Sequence, residues 1–315
     1  MSELCKPHYR NEPAAYRYVE AMLWPNGPVC PHCGGTEKIG KLKGKSTRMG
    51  VHKCYDCKKP FTVKIGTIFE KSHVAMHLWL QAIYLMASSK KGVSSNQLHR
   101  TLGVTLKTAW FMSHRIREAM RTGALEPLGG NGKVVEADET YYGKREVQAV
   151  SEQRKGRPYI STKPGKGISN KNPILALVER GGNVRSFHIR QANKDNVQEL
   201  VRANIDREST LYTDESRLYS GIDSHVAEHD TVHHASGEYV RGDVHSNTVE
   251  SYFSVFKRGM RGVYQHCKEK HLHRYLAEFD FRHNHRVAVG VGDLERAESM
   301  LLNVKGKRLT YETTR

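Results

Sequence analysis

The feature that most constrains the fold of this 315-residue chain is a pair of C-x2-C motifs near its N-terminus. The motifs read "CPHC" and "CYDC", are separated by twenty residues, and supply Cys30, Cys33, Cys54 and Cys57. Each motif puts two thiolates on one tight turn, and two facing turns give Zn²⁺ its four tetrahedral ligands. We therefore predict a structural zinc ribbon within residues 1–71, in preference to chance pairing or a redox motif.

The charge of the chain points to a polyanionic partner. Lysine and arginine number 50 against 33 acidic residues, a net charge of +17. Such an excess favours nucleic acid, because neutralising phosphates releases counterions. Solubility alone is the alternative. The same choice applies to the basic residues of the ribbon, which either contact phosphate or form a solvated face: Lys41, Lys43, Lys45, Arg48 and Lys53.

The sequence also predicts a cellular location. No segment approaches the ~18 consecutive apolar residues that span a bilayer, and the N-terminus "MSELCKPHYR" is too polar for a secretion signal. We expect a cytoplasmic, nucleoid-associated protein with no membrane partner. Cysteines stay reduced in that compartment, which favours metal binding over disulfides. Cys5 and Cys267 lie outside the two motifs, and their roles are left open.

The sequence pattern predicts a helical region over residues 72–125. "SSNQLHRTLGVTLKTAW" gives a helix capped by Ser94 or Ser95, a break at Gly103, and a second helix capped by Thr105. A short glycine-containing turn between helices suits a helix-turn-helix, whose second helix enters a major groove. An ordinary helical hairpin in a core has a similar pattern. If the first interpretation holds, the second helix contacts DNA through Lys107, Thr108, His114 and Arg115.

Residues 126–295 have the pattern of an α/β domain, followed by a C-terminal tail at 296–315. "KVVEADETYYGK" predicts a short strand ending at Asp138, "PILALVER" and "VRSFHIRQ" a hairpin, and "STLYTDES" a strand ending at Asp214. With a capped helix before that strand and helices at the end, this order predicts a ribonuclease H-like sheet. Its first and fourth strands are parallel neighbours. The basic insert at 143–172 is nearly free of apolar residues and is predicted to be mobile.

Three acidic residues are the candidate catalytic set. In the predicted fold Asp138 and Asp214 lie on neighbouring strands, and Glu250 lies on the helix that follows. Phosphoryl transfer needs a nucleophilic oxygen activated and a leaving oxygen stabilised, which two divalent ions ~3.5–4 Å apart accomplish. Carboxylate oxygens favour Mg²⁺ or Mn²⁺. The alternatives are that Asp138 is a strand-end turn residue, Asp214 a turn cap and Glu250 a surface glutamate.

Basic residues follow Glu250 on the same predicted helix. Lys257 lies ~10 Å along the helix from Glu250, too far for an ion pair but suited to a DNA phosphate. Lys257, Arg258 and Arg261 are predicted DNA contacts. Asn247 is interpreted either as the helix N-cap or as a contact to metal-bound water or DNA. Glu139 and Glu215, beside two of the acids, are expected to support the ligands rather than to be ligands.

Several long motifs together resemble one family. They are "CPHCGG…CYDC", "VVEADETYYGK", "LYTDESRLYSGI", "GEYVRGDVHSNTVESYFSVFKRGMRGVY" and "HLHRYLAEFDFRHNHR". They resemble the zinc-ribbon DDE transposases of bacterial insertion sequences, the ISXO2-like group related to Merlin elements, over residues 12–290. The resemblance implies a ribonuclease H-like domain that uses Mg²⁺ to cut inverted-repeat ends and join them to target DNA.

The resemblance also assigns roles to residues. It implies acidic catalytic roles for Asp138, Asp214 and Glu250 and an auxiliary role for Lys257. Part of the family is described with Asn at the third acidic position, so Asn247 remains a candidate. The expected partners are double-stranded DNA ends and target, bound by a homo-oligomer. The alternatives are a domesticated, non-catalytic DNA-binding regulator built on the same frame and a nuclease without joining activity.

Overall fold

The chain folds into two compact units. The computed structural model describes residues 2–121, 123, 126–145, 150–154, 157–160, 170–233, 237–238 and 240–310, with only the backbone at 150–154 and 157–160. One unit comprises Met1–Thr122 together with Val291–Arg315, and the other is Gly123–Gly290. In the described part of the chain, no helix combines the length and apolarity that crossing a membrane requires.

The first unit begins with two helices and a small antiparallel sheet. Helices α1 (Pro7–Arg10) and α2 (Glu12–Leu23) precede strands β1 (Ile39–Lys41), β2 (His52–Cys54) and β3 (Pro60–Phe61), which pair in the order β1-β2-β3. Phe61 packs with Cys30 and Cys54 in a small core that Trp24 adjoins. The short strands predicted for the ribbon are therefore present, although its core is too small to be stable without further support.

Three helices follow the ribbon: α3 (Met76–Ser88), α4 (Ser95–Leu102) and α5 (Leu106–Met120). The Ser94 hydroxyl accepts a hydrogen bond from Gln97 N at 3.1 Å and caps α4. Gly103 ends α4 in the left-handed region at φ 66°, where glycine has no steric cost. Thr105 caps α5 by accepting from Thr108 N at 3.1 Å. The predicted helix, turn and helix are confirmed as local structure.

The C-terminal residues belong to the first unit. Helix α9 (Asp293–Leu302) buries Ala297, Met300 and Leu301, and the Arg296 guanidinium donates to Ala87 O at 2.9 Å. This corrects the expected boundaries, a domain ending at residue 295 and a tail over 296–315. Its partner α3 lies some 200 residues away in the chain, so the local sequence pattern does not show that this helix belongs to the first unit.

The second unit is built on a five-stranded sheet. Its strands are β4 (Val134–Tyr142), β7 (Asn172–Glu179), β8 (Val184–His188), β9 (Thr210–Asp214) and β10 (Glu228–Val232), in the order β10-β9-β4-β7-β8. Strand β7 runs antiparallel to its two neighbours β4 and β8, whereas β9 and β10 run parallel to β4. The predicted hairpin and the predicted parallel pairing of the two acid-bearing strands are confirmed.

Helices cover both faces of this sheet. Helix α6 (Lys194–Asn204) packs on one face with Val135, Ala137 and Leu175. Helices α7 (Asn247–Gly259) and α8 (Leu272–Asn284) pack on the other with Ala176 and Val178. Successive side chains of a strand point to opposite faces. Asp138 pairs with Ala176 and Glu139 with Leu175, so Asp138 lies on the α7 face and Glu139 on the α6 face.

Two small hairpins complete the unit. Strands β5 (Val150–Arg154) and β6 (Arg157–Ile160) pair with each other, as do β11 (Val240–Arg241) and β12 (Val244–His245). The first hairpin lies within the basic insert, for which the sequence predicted no strands. The predicted mobility of residues 143–172 falls largely on positions outside the described residues. The second hairpin leads directly into α7.

A half-buried histidine on α8 predicts a pH dependence of stability. Burial, and next the charge of Arg286, lower the pKa of His283 to about 4, and its ring lies edge-on to Tyr252 at 5.8 Å. A lowered folded-state pKa gives stability that is complete above about pH 6.5 and is lost as pH falls through 4. Wild type should therefore lose about 1 to 2 kcal/mol through this residue between pH 7 and 5.

The His283→Phe variant keeps an aromatic ring against Tyr252 and cannot protonate. Urea denaturation at pH 7 and pH 5 should show a smaller loss of unfolding free energy in the variant than in wild type. Equal losses in the two proteins would contradict the assignment, because the other titrating groups are common to both.

Candidate active site and zinc centre

The four motif cysteines converge on one point. Cys30 Sγ lies 3.6 Å from Cys57 Sγ, Cys33 Sγ lies 3.6 Å from Cys54 Sγ, and all four sulfurs fall within 4.8 Å of one another. A tetrahedral site with Zn–S bonds of ~2.3 Å has sulfurs ~3.8 Å apart, whereas a disulfide needs ~2.05 Å. The donor set therefore fits Zn²⁺, as predicted.

The glycines after the first motif explain how the turn closes. Gly34 has φ +77°, and its amide donates to Cys30 O at 2.9 Å. A Cβ on Gly35 would lie 3.3 Å from Asp56 Oδ2 and 3.5 Å from Cys33 Sγ. The first glycine supplies a backbone conformation and the second supplies room beside the sulfur cluster. Cys5 is exposed and Cys267 is half-buried, and neither joins the cluster.

The two aspartates lie side by side on the central strands. Glu136 on β4 is opposite Tyr212 on the parallel strand β9, and Asp138 and Asp214 are each two residues further along. The two-residue period places both side chains on the α7 face. Asp214 ends β9, as predicted. Asp138 does not end its strand, because β4 continues to Tyr142; its aromatic residues extend the pairing with β7.

Electrostatics couples the three predicted acids. Burial raises the pKa of Asp138 to about 7, and the negative charges of Asp214 and Glu250 add to the increase, while Lys257 opposes it. Closely spaced carboxylates resist ionising together unless a cation compensates them. Three carboxylates with hard oxygen donors are a suitable ligand set for Mg²⁺ or Mn²⁺.

An open cavity of about 800 Å³ lies over this group. Asp138, Glu139 and Glu250 form its acidic side. The basic residues Lys257, Arg258 and Arg261 from α7 and the turn after it also line it. Asp214 and Asn247 are not among the described residues that line the cavity. The cavity thus combines carboxylates, which suit metal ions, with basic side chains, which suit phosphates. Phosphodiester chemistry requires both.

Glu139 differs from Asp138 although the two are adjacent. Tyr219 OH donates a hydrogen bond to Glu139 Oε1 on the α6 face. Burial raises the pKa of Glu139 to about 8, the Tyr219 hydrogen bond opposes the increase, and Asp138 and Asp214 add to it. Tyr219 binds its carboxylate on the α6 face, although Glu139 also lines the cavity. The supporting role expected for it stays a prediction.

Comparison with known proteins decides the family. Residues 127–284 match the ISXO2-like transposase domain, and residues 10–60 match the transposase zinc-ribbon domain. The chain is also 30% identical, over 279 residues, to an uncharacterized protein in transposable element ISH50 of Halobacterium salinarum, covering 86% of this chain and 90% of that protein. The chain belongs to the ISXO2-like transposase family.

Solved structures are only distantly similar to this ISXO2-like transposase. The Mos1 transposase paired-end complex with left transposon end is 13% identical, with 73% of this chain and 78% of that chain covered and a TM-score of 0.29. The Mos1 strand transfer complex is 11% identical, with 71% and 74% covered and a TM-score of 0.28. At these scores the likeness carries no argument about fold or activity.

The start of α7 in this ISXO2-like transposase differs from the expected capping. The N-cap is Ser246, and Asn247 is the first helical residue and is exposed. The Ser246 hydroxyl donates to Glu250 Oε1 at 3.2 Å instead of accepting from the first turn. The N-cap interpretation of Asn247 is thereby corrected, because helix geometry begins one residue earlier than the asparagine signal suggested. Its contact with DNA or metal-bound water stays a prediction.

The predicted DNA contacts of α5 divide into two groups. Lys107 is exposed in the first turn of the helix. His114 and Arg115 are buried, at 1% and 5% exposure, and Arg115 donates to the carbonyl oxygens of Ile68 and Glu70 at 2.6 and 2.8 Å. The prediction that Arg115 contacts DNA is corrected: its guanidinium satisfies buried carbonyls. Helical periodicity could not show this, because the second half of α5 is buried on nearly every side.

Sequence reasoning missed two residues beside the acids. Glu136 on β4 is fully buried, and Arg180, just after β7, donates from Nε to Glu136 Oε1 at 2.7 Å. The alternation in "VVEADET" could have found the glutamate, since it places Glu136 and Asp138 on one face of the strand.

Proposed function

We propose that this chain is the transposase of an insertion sequence, which binds the terminal inverted repeats of its element and catalyses metal-dependent strand cleavage and strand transfer. One observation carries the proposal: carboxylates from β4, β9 and α7 are grouped beside a cavity whose other lining residues include three cations. Family membership supplies the reaction class, and the acid cluster supplies a place for the chemistry.

The order of the strands supports a ribonuclease H-like catalytic domain. Three antiparallel strands in hairpin order are followed by a helix and two strands parallel to the first, giving the order β10-β9-β4-β7-β8. In this arrangement the first strand, β4, is central, and it pairs directly with β9, the strand that ends at Asp214. The helical connection needed for a parallel pair is α6.

Each residue of the cavity has a proposed task. Asp138 and Asp214 would be shared ligands of two divalent ions, Mg²⁺ or Mn²⁺, and Glu250 would hold the second. When bound, such a pair activates the attacking oxygen and stabilises the leaving oxygen. Lys257, Arg258 and Arg261 would bind the phosphates of the DNA end and keep the scissile group in line. Asn247 would contact DNA from the first turn of α7.

The remaining DNA contacts are proposed for the first unit. Lys107 lies at the exposed start of α5, the end of a recognition helix that contacts bases in a helix-turn-helix. The basic residues of the ribbon would neutralise phosphates nearby, which the net charge of +17 supports. We propose that double-stranded DNA is the partner. Transposition holds two ends together, so a homo-oligomer would assemble on it.

The decisive experiment combines purified protein, labelled fragments of the element's own ends, and a target plasmid. With Mg²⁺ we expect nicked ends and then joined plasmid products, and with EDTA neither. The Asp214→Ala variant should lose both products while still shifting the end fragment in a gel. A regulator would bind ends without cutting them in wild type as well, and a nuclease would cut without joining.

A further inference from the structure

A buried carboxylate connects the strand that carries Asp138 to the helix that carries Glu250. Glu136 is 0% exposed. Its Oε2 accepts from Thr248 N at 2.7 Å and Val249 N at 3.0 Å, and its Oε1 accepts from Thr248 Oγ1 at 2.8 Å and Arg180 Nε at 2.7 Å. A buried charge is tolerated only with such complete pairing, so these four bonds fix the position of the carboxylate closely.

The bonds to Thr248 and Val249 replace a missing helix cap. The first N–H groups of a helix have no partner within it, and the Ser246 hydroxyl is turned towards Glu250. Glu136 supplies the acceptor from another element and places a negative charge at the positive end of the helix. The first turn of α7, which contains Glu250, is therefore held directly against β4, two residues from Asp138 on the same face.

Arg180 extends the connection to β9, the strand that carries Asp214. Its Nη1 donates to Asp243 O at 2.8 Å and its Nη2 to His245 O at 3.0 Å, which holds the segment leading into α7. The same guanidinium lies 4.8 Å from the centre of the Tyr212 ring, two residues before Asp214 on β9. One ion pair thus contacts the elements that carry all three acids.

We propose that Glu136, paired with Arg180, is a positioning residue that sets the separation of Asp138 and Glu250 and thereby the affinity of the site for divalent cations. This inference rests on the proposed function, because it requires those acids to bind metal. Glu136 itself would not touch the ion, since its four acceptor positions are filled by the protein. Groups that orient metal ligands typically change metal affinity by about 10- to 100-fold when they are replaced.

The test measures Mn²⁺ binding by electron paramagnetic resonance on the full-length, zinc-loaded protein without DNA. Glu136→Gln replaces one acceptor oxygen with an amide donor, and we expect its Kd for Mn²⁺ to rise about tenfold or more. In cleavage assays the Mg²⁺ concentration for half-maximal rate should rise by a similar factor, with much of the rate recovered at saturating Mg²⁺.

Glu179→Gln is the matched control. Glu179 ends β7 next to Arg180, but its carboxylate accepts from Gly129 N at 2.9 Å and Lys133 Nζ at 3.0 Å, neither of which is on α7. Its Kd for Mn²⁺ should equal that of wild type. Should Glu136→Gln lower the melting temperature yet bind Mn²⁺ like wild type, Glu136 is only a folding residue and the proposal is overturned.

A second variant covers the case in which Glu136→Gln does not fold. Thr248→Val removes one of the four donors and keeps the backbone bonds, so a rise in Kd of roughly threefold is expected, and no rise overturns the proposal. Asp138→Asn distinguishes failure of the proposed function from failure of the positioning role alone. If Mn²⁺ binding in wild type does not depend on Asp138, the proposed function fails; if it does but ignores Glu136 and Thr248, only the positioning role fails.

Discussion

Replacing Asp138 with Asn is expected to lower the rate of end cleavage by at least about 10³-fold, because the variant loses a carboxylate that both proposed metal ions would share. The side chain keeps its size, so the sheet should remain intact. DNA binding should also remain, since the cations that line the cavity are unchanged and an acidic charge has been removed. Cleavage of labelled end fragments in Mg²⁺ and gel shifts in EDTA measure the two properties separately.

The neighbouring acid provides an internal control. Glu139→Gln also replaces a buried carboxyl group of β4, but on the α6 face, where Tyr219 OH binds it. We expect a loss of cleavage rate of about 10- to 100-fold, smaller than that of Asp138→Asn, as for a group that acts through its neighbours. If the two variants lose activity equally, the division of roles by strand face is wrong. If Asp138→Asn keeps its activity, the proposed catalytic site is wrong altogether.

Removing a zinc ligand is expected to unfold the ribbon. Its core consists of a few side chains around Phe61, whereas structural Zn²⁺ contributes about 10 to 16 kcal/mol of apparent binding free energy at pH 7. Wild type should contain one zinc per chain by elemental analysis. Cys54→Ser should contain almost none and should be cut rapidly by protease between α2 and α3.

Cys5→Ser is the control for the zinc experiment, because Cys5 is exposed and lies outside the sulfur cluster. It should retain its zinc and its protease resistance. A Cys54→Ser protein that still held one equivalent of zinc, or that resisted protease like wild type, would contradict a structural role for the metal.

Some features of the molecule could be predicted because short-range physics determines them. Two C-x2-C turns twenty residues apart have few other uses, so the sulfur cluster followed from the spacing of the motifs. The strand ending at Asp214 is a buried β run with a turn signal after it, and its parallel pairing followed from the order of elements. Caps at Ser94 and Thr105 are similarly local.

Other features depended on contacts between distant residues. Glu136 is one of several acids in "VEADET", and nothing in the sequence shows that the first turn of α7, more than 100 residues later, needs an acceptor. Arg115 looks like any basic residue of a recognition helix until the carbonyls of Ile68 and Glu70 are placed beside it. Long-range partners of this kind are what a pattern of residue types does not contain.

The division of the chain has a consequence for damaged copies of such a gene. Because Val291–Arg315 belongs with Met1–Thr122, a stop codon shortly before Val291 would spare every acid of the candidate site. It would instead strip α9 from α3 and remove the Arg296 hydrogen bond to Ala87 O. Loss of coding sequence from the 3′ end would thus disrupt the first unit before it removed any of the candidate acids. A truncated copy with all three acids would still be inactive.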